Sequence, residues 1–358
     1  MKFYTNIFEQ IISLDNLFLA WDEFKKGKLK KKDVLEFEWN LEENTLELHR
    51  NLKYHTYKHG VYYSFFITDP KLREIHKATV VDRVLHHAIF RVFNPIFEPT
   101  FISSSFSCRI SKGNHKGVDC LAKFIRQVSK NNTGPCYVLK CDIKKFFDSI
   151  DHEILLNIIQ KRISDQNTMR LLSGIIGSYS KTVPLQLGLF ERERESNSAG
   201  LPIGNLTSQL FANIYMNEFD QFIKHKLKIR HYARYTDDFV IVSNDHAYLE
   251  SLIPEIQFFL EINLKLKLHP NKVSIRKIRQ GIDFLGYVVF PNHRLLRTKT
   301  KRRIFAKLRK RVAEFKAGLI SRNVLDQSLN SYLGALSHAS THELQEELKN
   351  QFWFWLNE

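Results

Sequence analysis

Cysteine is scarce: Cys108, Cys120, Cys136 and Cys141 are the four in a chain of 358 residues. None forms a C-x-x-C pair, and no histidine follows at zinc-ligand spacing. That argues against a disulfide scaffold and a zinc module, and points to reduced, mostly buried thiols in a cytosolic protein. Long apolar runs are missing too, since none approaches the ~20 residues that span a bilayer. The N-terminal "MKFYTNIFEQIISLDNLFLAW" is broken by Glu9, Asp15 and Asn16, unlike a signal peptide. A cytoplasmic protein with no membrane partner is expected. There is no internal repeat and no low-complexity linker.

Acid is short relative to base. Asp and Glu total 38 against 54 Lys and Arg, a net charge of +16. Such an excess suits a polyanionic partner, nucleic acid first. The basic residues also cluster: "RTKTKRRIFAKLRKR", from Arg297 to Arg311, holds no acid. Dispersed solubilising charge would not look like that. With 28 Phe and 13 Tyr the chain is too aromatic for disorder, and its length allows two or three subdomains.

Periodicity predicts helices over 7–50 and a strand in "VYYSFFITDP" (61–70). A helix over 77–97 is expected to stop at Asn94-Pro95. "PCYVLKCDIKKFF" (135–147) reads as a strand running into Asp142. Ser149 and Asp151 are N-cap candidates for the helix "HEILLNIIQKRI". "SAGLPIGNLTSQ" (198–209) is a Gly-rich loop leading into a helix. A hairpin follows over 231–243, then a helix over roughly 246–262 and a strand pair around 281–290. This order suits an α+β fold, a mostly antiparallel sheet with helices on one face. After Asn292 a basic helix is expected, with Ile304, Leu308, Val312, Phe315 and Leu319 as its apolar stripe.

The chemistry centres on "YTDD". Asp237 and Asp238 could form an ordinary turn, because Asp tolerates left-handed geometry. Adjacent carboxylates also repel unless a cation or proton lies between them, which makes a metal site the sharper reading. Asp142, ending a strand some 95 residues earlier, would supply a third carboxylate if the strands lie side by side. Phosphoryl transfer by two Mg²⁺ ions needs such a spot.

A strand-borne Asp, a Gly-rich loop and helix, then Y-x-D-D in a hairpin resembles the reverse transcriptases, over roughly residues 60–340. "KLREIHKATVVDRVLHHAI" resembles a first fingers motif with Arg73 and Asp82-Arg83. "SFSCRISKGNHKGV" resembles a second, in which Arg109 would reach the incoming triphosphate. "DIKKFFDSIDH" resembles the first catalytic motif. The resemblance implies catalysis by Asp142, Asp237 and Asp238, with Ile143 beside them in the metal site. It places Phe147 as a steric gate against the ribose 2′-OH and Lys272 of "HPNK" near the leaving pyrophosphate. "FLGYVV" gives a primer grip at Phe284, Leu285 and Gly286. The implied cofactor is two Mg²⁺, with Mn²⁺ as a substitute. The implied architecture is a right hand: N-terminal segment and fingers over 1–134, palm over 135–290, helical thumb over 291–358. Lys301, Arg302, Arg303, Arg309, Lys310 and Arg311 would line its nucleic-acid face.

One motif departs from the usual L-P-Q-G-x-x-x-S-P. Here "LPIGNLTSQ" has Ile203 for Gln and Gln209 for Pro, around Gly204. That resembles reverse transcriptases of diversity-generating retroelements, bacterial, archaeal or phage-encoded. Such enzymes make adenine-error-prone cDNA from a template-repeat RNA for mutagenic retrohoming into a target gene. Their partners would be template RNA, cDNA or primer, dNTPs and a basic oligomeric accessory variability protein. The acidic stretch "EFEWNLEENTLELH" (36–49), with Glu42 and Glu43, is a candidate dock for that protein, or simply an exposed face. Rivals are a retron or phage-defence reverse transcriptase and a non-catalytic nucleic-acid-binding protein. The residues after 292 are too few for an RNase H or endonuclease domain beside a thumb. Blander readings also stand: Phe147 as a core aromatic, and Arg73, Arg109 and Lys272 as surface charges. His86 and His87 are read as structural and Cys141 as a packed strand residue.

Overall fold

The computed structural model describes residues 3–68, 72–179 and 198–358. Asp69, Pro70 and Lys71, within stretches read above, lie outside the described residues. In chain order the elements begin with α1 (Ile7–Ile12), α2 (Leu14–Lys25), α3 (Lys32–Trp39), α4 (Leu41–Lys53), β1 (Tyr63–Ile67), β2 (Arg73–Lys77), α5 (Val80–Phe97) and α6 (Asn114–Val128). There follow β3 (Tyr137–Asp142), α7 (His152–Gln160), α8 (Gln166–Gly177), α9 (Leu206–Gln221), β4 (Tyr232–Tyr235), β5 (Asp238–Ser243) and α10 (His246–Leu264). The remainder comprises β6 (Ser274–Lys277), β7 (Ile282–Phe284), β8 (Tyr287–Val289), β9 (Arg294–Leu296), α11 (Thr298–Lys316), α12 (Arg322–Leu336) and α13 (His342–Asn357). These make two compact units. The first is Met1–Ser103, Asp142–Ile229 and Pro254–Pro270; the second is Ser104–Cys141, Arg230–Ile253 and Asn271–Glu358.

In the first unit α5 is the central helix, packed against α2 and α9. Thr79 caps it, accepting from the Asp82 N–H at 3.2 Å and donating to the Asp82 carboxylate at 2.6 Å. The helix does not stop at Asn94-Pro95; it runs through Pro95 to Phe97. A mid-helix proline costs ~3 kcal/mol. Ile96 and Phe97 are buried by the last turn, and each such burial returns ~1.5–3 kcal/mol. Asp82 is buried as well, accepting from Tyr57 Oη at 2.6 Å and from the Gly60 N–H. Arg83 pairs with Asp33 at 2.7 Å and covers the Phe24 ring. Both residues of the Asp82-Arg83 pair therefore serve the fold. Asp151, not Ser149, caps α7, accepting from the Ile154 N–H at 3.0 Å. Ser149 instead closes a short 3-10 turn, Phe146–Ser149.

In the second unit four strands form a sheet in the order β4-β5-β3-β6. β4 pairs antiparallel with β5, and β3 with β6. Val138, Ala233, Val240 and Val242 pack with Val118, Leu121 and Ile125 of α6. The latter recur at helical spacing, so one stripe of α6 covers one face of the sheet. The sequence reading had not marked α6 as a helix. β7, β8 and β9 form a separate antiparallel sheet. The core of α11–α13 takes Ile304, Leu308 and Val312, with Phe315 partly buried. Leu319 does not join the stripe. Gly318 (φ 72°) ends α11, and the N–H groups of Gly318 and Leu319 bond back to Phe315 and Glu314, the Schellman arrangement. The chain turns away there and leaves Leu319 exposed.

His86 is fully buried, and among the described residues neither ring nitrogen has a hydrogen-bond partner. Burial, reinforced by His59 stacked on it at 5.4 Å, pushes its pKa down to about 3. His87 is likewise pushed down to about 4, by burial first and Lys28 second. Both are structural, as read from sequence. The unfolded chain binds these protons near the ordinary pKa and the folded chain does not. Stability is therefore full above about pH 6.5 and falls as pH drops toward the folded values. We expect His86→Leu to flatten that acid limb. Melting temperatures between neutral pH and pH 4 check it; an unchanged slope would mean that His86 does not supply the acid sensitivity.

Candidate active site

The YTDD segment is the hairpin turn of the second unit. Tyr235 of β4 pairs with Asp238 of β5, leaving Thr236 and Asp237 as a two-residue loop. Thr236 takes φ 56°, a left-handed conformation that a β-branched residue adopts only under strain. Such a residue costs ~1–3 kcal/mol and persists where its surroundings enforce it. Two bonds do so here. Thr236 Oγ1 donates to Ser107 Oγ at 2.6 Å, and its carbonyl accepts from Arg234 Nη1 at 3.0 Å. Arg234 has no exposed surface, and its Nη2 donates to Ser105 Oγ at 3.2 Å. Its main chain exchanges bonds with Ser104 and Phe106. Asp237 and Asp238 are half-buried. Lys140 Nζ stands 3.8 Å from Asp238 Oδ1 and donates to the Asp283 carbonyl at 2.8 Å.

Asp142 is the last residue of β3, a sheet neighbour of β5, and is counted with the first unit. Its side chain is buried, and its carbonyl accepts from the His269 N–H at 2.8 Å. Ile143 bridges to Leu268, and the Lys144 N–H donates to Lys267. These bonds fix the exit of the strand. The next turn buries Phe146 and leaves Phe147 half-buried, the rings 5.3 Å apart.

The Gly-rich loop belongs to the same unit and is tied to that turn. The Leu201 N–H donates to the Phe147 carbonyl at 2.7 Å, and the Gly200 N–H to Ile150 at 2.8 Å. Gly200 and Gly204 have φ near 109° and 117°, and a Cβ on Gly204 would come within 2.8 Å of Ile75. Glycine is required there for conformation and for space. Ile203 is half-buried; its carbonyl accepts from the His76 N–H at 2.9 Å. Gln209 is exposed in the first turn of α9, and Arg73 is exposed on β2. Phe147, Ile203, Gly204, Gln209 and Arg73 thus share the first unit.

Arg109, Lys272 and the 284–286 turn lie in the second unit. Arg109 Nη1 donates to the Ser105 carbonyl at 2.8 Å, on the loop that also receives Arg234. Lys272 is half-buried in the bend before β6. Leu285 and Gly286 both have positive φ, 50° and 90°, which closes a tight two-residue hairpin between buried Phe284 and Tyr287. On α11, Arg302 and Arg309 are exposed. Lys301 pairs with Glu347 at 3.0 Å, and Arg311 with Glu314 at 2.9 Å. Lys310 also faces Glu314, at 3.9 Å. Glu42 and Glu43 are exposed in the first turn of α4, where carboxylates favour the helix dipole.

Among the described residues, no group of three or more His, Cys, Asp or Glu side chains is arranged to hold a metal by itself. The donor type suits Mg²⁺, a hard ion that takes one or two carboxylates and fills its shell with water and substrate phosphate. No helix among the described residues is long and apolar enough to cross a membrane.

Arg234 and Lys140 escaped the sequence reading. Their signal is a cation inside an apolar strand pattern, next to a carboxylate motif. Arg234→Met is expected to destabilise the fold by about 2–4 kcal/mol, since two hydrogen bonds from a charged donor are lost. Urea unfolding checks this; a loss below about 0.5 kcal/mol would show that the guanidinium does not hold the turn.

The family model "Reverse transcriptase (RNA-dependent DNA polymerase)" matches residues 67–289. Protein YkfC of Escherichia coli strain K12 is 28% identical over 263 residues, 64% of this chain and 65% of that protein. The Group II intron-encoded protein LtrA of Lactococcus lactis subsp. cremoris is 22% identical over 353 residues, 79% of this chain and 56% of LtrA. The Retron Ec83 reverse transcriptase of Escherichia coli is 25% identical over 220 residues, 59% of this chain and 65% of that protein. The chain thus spans just under two thirds of two of these relatives and 56% of LtrA. The family match covers more than half of the chain and includes Asp142, Ile203 and the 235–238 turn, so this protein belongs to the reverse transcriptase family.

Proposed function

We propose that the chain is an RNA-directed DNA polymerase that extends a primer on an RNA template with dNTPs. The observation that carries this reading is a strand ending on Asp142 beside a strand that begins on Asp238, directly after Asp237. In this reading Asp142, the Ile143 main chain, Asp237 and Asp238 hold Mg²⁺. The bound ions would neutralise charge on the attacking and leaving oxygens. Positioning carries most of the remaining rate. Arg73 and Arg109 orient the triphosphate, Phe147 flanks the ribose, and Lys272 stands by the departing pyrophosphate. Phe284, Leu285 and Gly286 hold the primer. The sheet of the second unit serves as palm and the α11–α13 helices as thumb. Arg302 and Arg309 lead the duplex contact, because Lys301, Lys310 and Arg311 already face carboxylates.

Within that activity the reading is a diversity-generating enzyme. Its support is Ile203 and Gln209. Ile203 cannot hydrogen-bond an incoming nucleotide, so an orienting contact worth roughly 0.5–1.5 kcal/mol is missing. Lost on correct pairs, that is up to about tenfold in discrimination. An accessory variability protein would dock on the exposed Glu42 and Glu43. The likeness to a retron enzyme favours a second reading, retron-type synthesis on a dedicated RNA.

Asp237→Asn should lower primer extension at least a hundredfold, the scale for losing one electrostatic stabiliser, while RNA binding persists. Retention of more than about a tenth of the wild-type rate would contradict the metal assignment. Ile203→Gln should reduce misincorporation opposite template adenine by up to about tenfold. Sequencing of the cDNA reads this out, and an unchanged error spectrum would favour the retron-type reading.

A further inference from the structure

His76 stands at a crossing that neither the metal site nor the sequence motifs explain. Its N–H holds the Ile203 carbonyl at 2.9 Å, and its own carbonyl accepts from Asn205 Nδ2 at 2.9 Å. Asn205 occupies the N-cap position of α9 but makes no side-chain cap bond. Its amide serves β2 instead. Both bonds fasten the Ile203–Asn205 stretch to one point on that strand.

The His76 imidazole is buried and held from both sides. Ser64 Oγ lies 2.7 Å from Nδ1, and Tyr179 Oη lies 3.0 Å from Nε2. A neutral imidazole offers one donor and one acceptor, and two hydroxyls satisfy either tautomer. The Tyr179 phenol stays protonated, its pKa pushed up to about 12 by burial and then by Asp148 and Glu74. The Tyr179 ring packs where a Gly200 side chain would sit, 3.3 Å from that Cβ position. Gly200 and Leu201 in turn bond the Phe147–Ile150 turn. One hydrogen bond, His76 to Tyr179, therefore joins the strand that holds Ile203 to the ring that backs the Phe147 turn. All of these residues lie in the first unit.

We propose that His76 and Tyr179 are a positioning pair that sets the spacing between the Phe147 wall and the Ile203–Gly204 wall of the nucleotide pocket. The pair thereby sets the selectivity for base and sugar. This rests on the polymerase reading above. It also gives Gly200 a second role beside its positive φ: a Cβ there would stand 3.3 Å from the Tyr179 ring and press on it. Neither residue touches the nucleotide; both act through the main chain of Ile203 and the turn behind Phe147.

The test is single-nucleotide insertion on an RNA template by wild type, Tyr179→Phe, His76→Leu, His76→Gln and the His76→Leu/Tyr179→Phe double variant. Tyr179→Phe removes one oxygen and keeps the ring. It should raise KM for the correct dNTP more than it lowers kcat. Correct-over-incorrect and dNTP-over-rNTP ratios should fall together by about three- to tenfold, the scale of one hydrogen bond. His76→Leu should do the same, and the double variant should be no worse than either single one. His76→Gln keeps a polar group toward Tyr179 and should retain most of the selectivity. A lowered melting temperature with both ratios unchanged, or additive losses in the double variant, would make the pair core packing and overturn the proposal. A wild-type chain that extends no primer overturns the polymerase reading, and this proposal with it.

Discussion

The turn that presents Asp237 and Asp238 exists because a guanidinium is buried beneath it. Two adjacent carboxylates at the end of a hairpin repel each other, and the residue before them is a threonine in a left-handed conformation. Either feature alone would favour an alternative loop. Arg234 opposes both, donating to the Thr236 carbonyl and placing a fixed positive charge under the motif. Burying that charge is itself costly unless its donors are used. The 104–109 loop supplies the acceptors, through Ser105 Oγ and main-chain bonds to Ser104 and Phe106. The strand, the loop and the turn are thus mutually dependent.

The first unit meets a different constraint with glycine. The Phe147 turn and the Ile203 loop approach so closely that their main chains bond each other directly, which leaves little room for side chains. Gly204 lets Ile75 in, and Gly200 lets Tyr179 in. What replaces side-chain bulk is a polar joint of His76, Ser64, Tyr179 and Asn205. Such a joint is directional, whereas apolar packing tolerates small displacements. Ile203 lies on this joint, its carbonyl held by the His76 N–H.

Charge is arranged as well as abundant. The net +16 reads as nucleic-acid affinity, yet part of the α11 cluster faces carboxylates from α11 and α13. Exposed ion pairs of this kind contribute little to stability. The acidic first turn of α4 has a local cause in the helix dipole, whatever else it binds.

The sequence by itself determined the large elements and the order of the motifs. Apolar periodicity and β-branched content marked the N-terminal helices, β3, the β4–β5 hairpin and α9, because local burial patterns dictate them. It also singled out Asp142, Asp237 and Asp238 as candidates, since residue type and strand position are legible in it. Where prediction failed, tertiary structure had overruled a local rule. Pro95 stays inside α5 because Ile96 and Phe97 gain more from burial than one lost hydrogen bond costs. Leu319 leaves its stripe because Gly318 turns the chain. Asp82 and Arg83 are not such a failure: their bonds to Tyr57, Thr79 and Asp33 stand beside the motif resemblance. Only the tertiary structure could decide what surrounds the motifs. Arg234 beneath the turn, Lys140 beside Asp238, and His76 bonded to Tyr179 across 103 residues of sequence are long-range pairings. No spacing rule records such pairings, because they form only when distant segments are brought together and buried polar groups must find partners.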